Sequence, residues 1–275
     1  MRAEEFIFSD GRRLVWRSVG DGPTLVLIHG WSVSGLVFTE VASSLKKKCR
    51  VLMPDLPGHG GSSPKKHAEL SNLADDLEEW LRGIGGGQVV LGGWSLGGML
   101  SMELACRLGS NLSGMILIGT TPRFTKSSNW RHGLPRGQVR ALLRNLERRY
   151  EGTLRDFFNL TFVNAMPSKH RLKVIRKFAV ENSPLPDETT TKSLLENLEI
   201  QDQRNLLPDL KVPCLLIHGA KDEITPVDAA KTLAAHITDS RLIIFEDASH
   251  APFWSCPDLF VKQIKEYLEW LQKMP

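Results

Sequence analysis

One serine of the chain is surrounded by small residues. Ser95 lies in the sequence Gly93-Trp94-Ser95-Leu96-Gly97, between a short apolar run that predicts a strand and a longer run that predicts a helix. A Gly-x-Ser-x-Gly pattern in that context is typical of a sharp turn that holds the serine hydroxyl at the end of a sheet. The next backbone N–H, on Leu96, then points from a helix N-terminus toward the place where an oxyanion would form. The pattern predicts a nucleophilic serine, although glycines and a serine also build ordinary strand–helix turns.

Two further polar residues each follow an apolar, strand-like run. Asp222 comes after the run Cys214–Gly219, and His250 comes after the run 241–245. A serine hydroxyl is a weak nucleophile until an imidazole takes its proton, and that imidazole needs a carboxylate to fix its tautomer. The order Ser, Asp, His and the three positions at strand ends therefore predict a catalytic triad of Ser95, Asp222 and His250. In the alternative interpretation, Asp222 caps the following helix and His250 is an ordinary loop histidine.

The other titratable residues near these positions have weaker contexts. Glu223 is adjacent to Asp222 but should point elsewhere, and Asp247 is expected to be a solvated loop charge. His218, near the end of a predicted strand, is expected to be structural. The sequence contains neither Cys-x-x-Cys nor His-Glu-x-x-His, so we expect neither a metal nor another cofactor.

A second oxyanion donor is predicted after an early strand. The apolar run Thr24–Ile28 is followed by His29-Gly30-Trp31. A His-Gly-x turn lets a backbone N–H face the nucleophile, and here that donor would be Trp31. Its side chain would stand over the acyl pocket, or would pack as a rim aromatic against a lid. The run 54–62, rich in glycine and proline, demands tight turns and is expected to brace the site.

These motifs together resemble the α/β-hydrolase superfamily, in the family's order and across nearly the whole chain. The matching motifs are His29-Gly30-Trp31, Asp55-Leu56-Pro57-Gly58-His59-Gly60, Gly93-Trp94-Ser95-Leu96-Gly97-Gly98, Gly219-Ala220-Lys221-Asp222 and Ser249-His250-Ala251-Pro252. More narrowly, the chain is similar to the pimeloyl-acyl-carrier-protein methyl ester esterases of biotin synthesis. That resemblance implies a serine carboxylesterase working through an acyl-enzyme intermediate. A serine at position 95 argues against haloalkane dehalogenases and epoxide hydrolases, which look similar but carry an aspartate nucleophile.

Other functions remain open at this point. A general short-chain carboxylesterase or thioesterase and a carbon–carbon bond hydrolase share most of these motifs. A non-catalytic, hydrolase-like binding protein is the alternative from another class, and the presence of Ser95, Asp222 and His250 together argues against it. The sequence does not fix the acyl length or the leaving group.

The order of elements predicts an α/β fold with an insertion. At 275 residues, 41% of them hydrophobic, the chain suits one globular core plus an extra segment. Strands and helices alternate, which favours an eight-stranded, mostly parallel sheet with helices on both faces and an antiparallel hairpin at one edge. The predicted strands lie near 5–8, 13–18, 24–28, 50–53, 89–92, 114–119, 214–218 and 241–245. The predicted helices outside the insertion lie near 36–45, 70–84, 96–108, 227–236 and 257–271. Residues 122–205 contain helical patterns without a convincing strand. We expect them to form a helical lid on a core of residues 1–121 and 206–275.

The composition predicts the cellular compartment and the association state of the protein. The amino-terminal residues lack the apolar stretch of a signal peptide, and no apolar run reaches membrane-spanning length. The four cysteines are scattered among core-like residues, so we expect free buried thiols in a reducing compartment, which favours the cytoplasm. We expect a monomer that binds neither membrane nor nucleic acid.

The predicted lid is strongly basic. Between residues 122 and 180, fourteen lysines and arginines stand against three acidic residues, a net charge of +11. The whole chain is only +4, so the remainder is −7. At helical spacing Arg140, Arg144 and Arg148 share one face, and the lysines at 169, 173 and 177 share another. The charge indicates either a solvated basic face or a docking surface for an acidic partner such as an acyl carrier protein.

Five lid residues are candidates for contacts with substrate or carrier. Arg148, Arg149 and Arg155 are the predicted carrier contacts. The resemblance to the esterases further implies that Phe157 and Thr161 line the acyl pocket, together with Trp31, Ser95, Leu96 and His250 near the chemistry. The family usually has a longer polar side chain where this chain has Thr161. Phe157 as part of the lid core is an equal alternative.

Overall fold

An eight-stranded sheet forms the centre of the protein. The computed structural model describes residues 1–274. The strands are β1 (Ala3–Ile7), β2 (Arg13–Val19), β3 (Thr24–Ile28), β4 (Arg50–Pro54), β5 (Val89–Trp94), β6 (Leu112–Ile118), β7 (Cys214–Gly219) and β8 (Ser240–Phe245). Their order across the sheet is β1-β2-β4-β3-β5-β6-β7-β8. Strands β3 to β8 pair in parallel, whereas β2 is antiparallel to both β1 and β4. The predicted fold, including the antiparallel edge, is confirmed.

Helices cover both faces of the sheet. They are α1 (Thr39–Leu45), α2 (Leu70–Gly83), α3 (Leu96–Leu108), α4 (Arg136–Leu160), α5 (Lys169–Arg176), α6 (Glu188–Ile200), α7 (Val227–His236), α8 (Pro252–Ser255) and α9 (Pro257–Leu271). The helix predicted at 36–45 starts instead with a 3₁₀ turn, Gly35–Phe38, before α1 begins. The five predicted helices are otherwise present, with ends that differ by at most one residue.

Alternation along the central strands sorts the core into two halves. Val26 and Ile28 of β3 pack with α2 and α3, where Trp80 is fully buried. Leu25 and Leu27 pack on the other face, with α1 and α9. Because helices cover both faces, the central strands are apolar on both sides instead of alternating with polar residues. This burial fixes the carboxyl edge of the sheet, where the strand ends carry the candidate site.

The segment between β6 and β7 is helical. It consists of α4, α5, a π-helical turn at Lys177–Glu181, and α6. The backbone N–H of Gln203 donates to the carbonyl of Pro122 at 2.8 Å, so the two ends of the segment meet where it leaves and rejoins the sheet. Helix α4 is kinked at Arg149, whose φ of −153° and ψ of 63° are not helical. That residues 122–205 act as a separate lid stays a prediction.

Part of the positive charge on this segment is paired. Arg140 donates to Glu199 of α6 at 2.8 Å, and Arg171 forms a two-pronged pair with Glu40 of α1, both bonds 2.6 Å long. Glu199 offsets part of the repulsion expected within the row of Arg140, Arg144 and Arg148. The lysines at 169, 173 and 177 keep helical spacing, because Lys177, where the π-helical turn starts, has α-helical dihedral angles and donates its N–H to the Lys173 carbonyl. Some of the basic residues therefore stabilise the fold.

The cysteines differ in part from the prediction. All four are free thiols, and Cys49 and Cys214 are buried as expected. Cys106 is exposed and Cys256 is partly buried, because each lies on the outer side of a surface helix or turn. None of the helices found in residues 1–274 is both long enough and apolar enough to cross a membrane.

Candidate active site

Ser95 occupies a strained turn between β5 and α3. Its backbone dihedral angles, φ 55° and ψ −116°, lie in a region that residues other than glycine rarely adopt. The turn is held by its backbone, since the Ser95 N–H donates to Ile118 at 2.9 Å and the Ser95 carbonyl accepts from the Thr120 hydroxyl at 2.7 Å. A Cβ on Gly97 would overlap the Ile28 carbonyl, so only glycine lets α3 approach β3 this closely. The side chain of Ser95 is partly exposed, while its chain neighbours are buried.

Asp222 and His250 are bonded to each other behind this turn. Oδ2 of Asp222 lies 2.8 Å from Nδ1 of His250, and both side chains are almost completely buried. Oδ1 accepts the backbone N–H groups of Ile224 and Thr225, each at 2.9 Å. Burial by itself raises the pKa of Asp222, but the nearby imidazoles of His250 and His218 bring that pKa well below its usual range. An ionised carboxylate only accepts, so Nδ1 of His250 carries a proton and Nε2 is left free as a base.

The loop that carries His250 is fastened to the serine turn. The indole N–H of Trp94 donates to the carbonyl of His250 at 2.8 Å, and the two rings lie 5.4 Å apart. A Cβ on Gly119 would come within 2.7 Å of the same carbonyl, so the end of β6 also packs closely there. Ser95 and His250 line one cavity, with Asp222 bonded to the histidine. The structure thus brings together the three side chains that the sequence predicts.

The predicted oxyanion donors border Ser95. Leu96 is the first residue of α3, and the N–H groups of a helix's first turn have no acceptor within the helix. Trp31 follows Gly30, whose Cβ position lies 3.4 Å from Cβ of Ser95. The Trp31 indole N–H donates to the Thr191 carbonyl of α6 at 3.0 Å, so its side chain packs against the helical segment. That packing is compatible with the backbone N–H acting as a donor.

Two narrow cavities flank Ser95. One has about 320 Å³ of empty space and an apolar wall that includes Met99, Phe124 and Leu198. The other has about 250 Å³ and contains His250. Trp31 and Phe157 border both cavities, and their rings meet edge to face at 4.8 Å.

The two predicted acyl-pocket residues differ in their positions. Phe157 lines both of the cavities that flank Ser95. Thr161 lines only the cavity that contains His250. Its hydroxyl donates to the Phe158 carbonyl at 2.6 Å, so its polar group is engaged by the helix end.

A larger groove lies on the helical segment beside the cavity that contains His250. It has about 1170 Å³ of empty space and shares Ser32, Val33 and Phe158 with the cavity that contains His250. Arg155 and Arg176 lie in its wall. The groove therefore borders the cavity that contains Ser95 and His250.

The three predicted carrier contacts are all exposed on α4. Arg149, at the kink, donates to Asp156 at 2.8 Å. Arg155 lines the groove, and Arg148 lies on the outer surface beside the kink. Besides Arg155 and Arg176, the groove wall holds Glu151 and Glu181, so basic and acidic side chains are equal in number within it.

The segment predicted to brace the site is built around Asp55. Its buried carboxylate accepts the N–H groups of Gly35 and Gly61 at 2.9 and 3.0 Å and pairs with Arg17. His29 accepts the N–H of Leu56 at 2.9 Å, and burial lowers the pKa of this imidazole. Across residues 1–274, no group of three or more His, Cys, Asp or Glu side chains could hold a metal ion.

Comparison with known proteins agrees with this geometry. A family model described as "alpha/beta hydrolase fold" matches residues 23–257. The chain belongs to the α/β-hydrolase family. Its relatives in this family include proteins named pimeloyl-[acyl-carrier protein] methyl ester esterase from Nitrosomonas europaea and Chromobacterium violaceum. The first is 34% identical over 89% of this chain and 95% of its own length, and the second is 34% identical over 92% and 96%.

Solved α/β-hydrolase structures show the same fold. An esterase from Exiguobacterium antarcticum superposes with a TM-score of 0.90 at 24% identity, covering 98% of this chain and all of its own. An enol-lactonase from Burkholderia xenovorans superposes with a TM-score of 0.82 at 23% identity, covering 94% of this chain and 98% of its own. At sequence identities this low, the structural similarity shows only that the fold is shared.

Sequence reasoning missed three supporting residues. Trp94 was noted only as part of the serine motif, Thr225 was not singled out, and His218 was expected to be merely structural. His218 Nε2 lies 3.3 Å from Asp222 Oδ2, and the Thr225 hydroxyl lies 2.8 Å from the same oxygen. Only a conserved spacing such as His218-x-x-x-Asp222 could have signalled this, and one sequence does not show conservation.

Proposed function

We propose that this α/β-hydrolase is a serine carboxylesterase with Ser95 as the nucleophile. The observation that carries the proposal is the hydrogen-bonded pair of Asp222 and His250, because His250 lines the same cavity as Ser95. Membership in the family and relatives named as esterases support it. A hydrolase-like binding protein would not need a buried carboxylate, a fixed imidazole and a strained serine together.

The proposed reaction has two halves. His250 Nε2 takes the proton of Ser95 as its oxygen attacks the ester carbonyl, and the oxyanion is bound by the N–H groups of Trp31 and Leu96. Collapse of this intermediate breaks the bond to the alcohol, which leaves with the proton from His250. Water then attacks the acyl-enzyme with His250 as base, and Ser95 recovers its proton when the acid is released.

We further propose that the substrate is the methyl ester of pimeloyl-acyl carrier protein. The relatives at 34% identity carry that activity in their names. An acidic carrier would be attracted to the net charge of +11 on residues 122–180, and such attraction speeds association. In this proposal the acyl chain enters along the groove beside Arg155, which borders the cavity that contains Ser95 and His250. A cytoplasmic location agrees with this role and with the four free cysteines.

Charge reversal tests the carrier. The triple variant Arg148→Glu, Arg149→Glu and Arg155→Glu should raise KM for the carrier-bound ester on the order of tenfold or more, and leave a small free ester nearly unchanged. The difference should shrink with added salt, since the screening length is about 10 Å at 0.1 M.

A matched control changes the same amount of charge elsewhere. Lys46, Lys47 and Lys273 are exposed and lie outside the helical segment. Their substitution by glutamate should leave KM unchanged for both the carrier-bound ester and the free ester. If the triple arginine variant loses activity equally toward both substrates, these charges stabilise the fold and do not recognise the carrier. No loss with either would favour a general short-chain esterase, which the small cavities at Ser95 would also suit.

A further inference from the structure

A second imidazole contacts Asp222 besides that of His250. His218 lies near the end of β7, four residues before Asp222, and both side chains are nearly inaccessible to solvent. Its Nε2 lies 2.6 Å from the carbonyl oxygen of Thr225 and 3.3 Å from Oδ2 of Asp222. One ring nitrogen thus faces two oxygens of the same turn.

The shorter of these contacts fixes where the proton is. A backbone carbonyl can only accept a hydrogen bond, so Nε2 of His218 carries a hydrogen. The same nitrogen lies 3.3 Å from Oδ2 of Asp222, so the polar N–H is also close to the carboxylate. His218 is therefore a hydrogen-bond donor to the turn and an electrostatic neighbour of the carboxylate, whatever the state of its other nitrogen.

Thr225 links the groups around the carboxylate. Its N–H donates to Oδ1 of Asp222 at 2.9 Å, and its one hydroxyl proton is shared between Oδ2 at 2.8 Å and the Gly119 carbonyl at 2.9 Å. Its carbonyl accepts the bond from His218. Loss of the His218 donor would release this turn at the residue that binds both oxygens of Asp222. It would also leave a buried carbonyl without its partner, which is costly.

We propose that His218 is a positioning residue for the reaction. It holds Thr225 and Oδ2 of Asp222 so that Nδ1 of His250 meets its acceptor at 2.8 Å. His218 does not touch the substrate, because it lies behind Asp222 and lines neither cavity at Ser95. The assignment rests on the proposed roles of Ser95, Asp222 and His250.

Two substitutions of nearly equal size separate positioning from simple packing. The amide nitrogen of His218→Gln can donate from a place close to Nε2, whereas His218→Met has similar length and no donor. We expect His218→Met to lower kcat for p-nitrophenyl acetate about tenfold with KM changed less than about twofold, because an equal loss in kcat and kcat/KM marks an interaction of the transition state. His218→Gln should stay within about threefold of the wild-type kcat.

A second test measures kcat after His218→Met is combined with Asp222→Asn. If His218 acts through the carboxylate, adding His218→Met to Asp222→Asn should lower kcat little further, because residues that act as one unit are not additive. Thermal unfolding of each variant shows that it is folded, and His218→Leu replaces His218→Met if the latter does not fold.

Three results would overturn the assignment. They are a folded His218→Met enzyme with wild-type kcat, a His218→Gln enzyme as slow as His218→Met, and losses that multiply fully in the Asp222→Asn background. Labelling of Ser95 by a fluorophosphonate is measured in parallel. Wild-type protein that is not labelled at Ser95 would overturn the proposed function itself, and the role of His218 with it.

Discussion

Replacing Gly97 by alanine should damage both stability and turnover. The new Cβ would lie 2.7 Å from the His29 carbonyl oxygen and closer still to the backbone of Ile28, where ordinary contact begins at 3.4 Å. The end of β3 and the start of α3 must therefore move apart by at least 0.7 Å, the difference between these two distances. Backbone atoms do not rotate out of the way as side chains do. Overpacking of this kind costs about 1–3 kcal/mol, which outweighs a helix-propensity gain of at most about 1 kcal/mol.

We therefore expect Gly97→Ala to lower the free energy of unfolding by about 2 kcal/mol, or about 4–8 °C in Tm. The movement also separates the loop that carries Trp31 from Leu96, the two proposed oxyanion donors. A misplacement near 1 Å can cost about 100-fold, so kcat should fall between about 10- and 100-fold.

Gly137 provides a matched control for this substitution. It is also the second residue of its helix, in α4, and nothing lies within 4 Å of its Cβ position. Gly137→Ala should leave kcat unchanged and leave stability equal or slightly higher, by up to about 1 kcal/mol. Urea denaturation and p-nitrophenyl acetate hydrolysis measure both variants. A Gly97→Ala enzyme as stable and as active as Gly137→Ala would refute the reasoning.

Three further predictions concern charge, chemistry and the cavities. Hydrogen bonds from Arg204 and Arg123 bring the pKa of Asp202 from 3.8 to about 2, so its stabilisation is present above about pH 4 and is lost as pH falls toward 2. Asp202→Asn should be less stable than wild type by only about 1 kcal/mol at pH 7, since solvent screens these partly exposed charges. This difference in stability should close as pH falls through about 2, and a constant difference in acid denaturation would contradict the prediction. His250→Ala should lower kcat for a simple ester nearly as far as Ser95→Ala does, because the two residues act as one unit, and near-normal turnover by His250→Ala would argue against a histidine base. Phe157→Ala joins the two cavities, so kcat/KM for p-nitrophenyl esters should shift toward longer acyl chains, and an unchanged chain-length preference would exclude Phe157 from the pocket.

The positions of the three main site residues could be predicted because they depend on topology. Parallel strands bring their carboxyl ends to one edge of the sheet, so residues just after β5, β7 and β8 had to meet there. Hydrophobic periodicity and glycine spacing give this information directly. The same rule placed Trp31 after β3.

The supporting contacts could not be predicted because they depend on loop conformation. The bond from Trp94 to the carbonyl of His250 joins residues 156 positions apart. His218 faces Asp222 only because the turn ending at Thr225 folds back toward β7. No pattern of residue types specifies such a turn.

The helical segment shows the limits of charge patterns. The sequence indicates a basic surface, and exposed Arg148 and Arg155 agree with it. It does not indicate that Arg171 is bound to Glu40 of the core, because that pairing depends on how α5 packs against α1. The kink at Arg149 was also unpredicted, since no proline marks it.

Covalent labelling tests the central proposal most directly. Wild-type protein is treated with a fluorophosphonate, digested and analysed by mass spectrometry beside the Ser95→Ala variant. We expect one adduct, on the peptide that contains Ser95, no adduct in the variant, and turnover of the variant reduced on the order of 10³-fold or more. An adduct on another residue, or near-normal turnover by Ser95→Ala, would contradict the account.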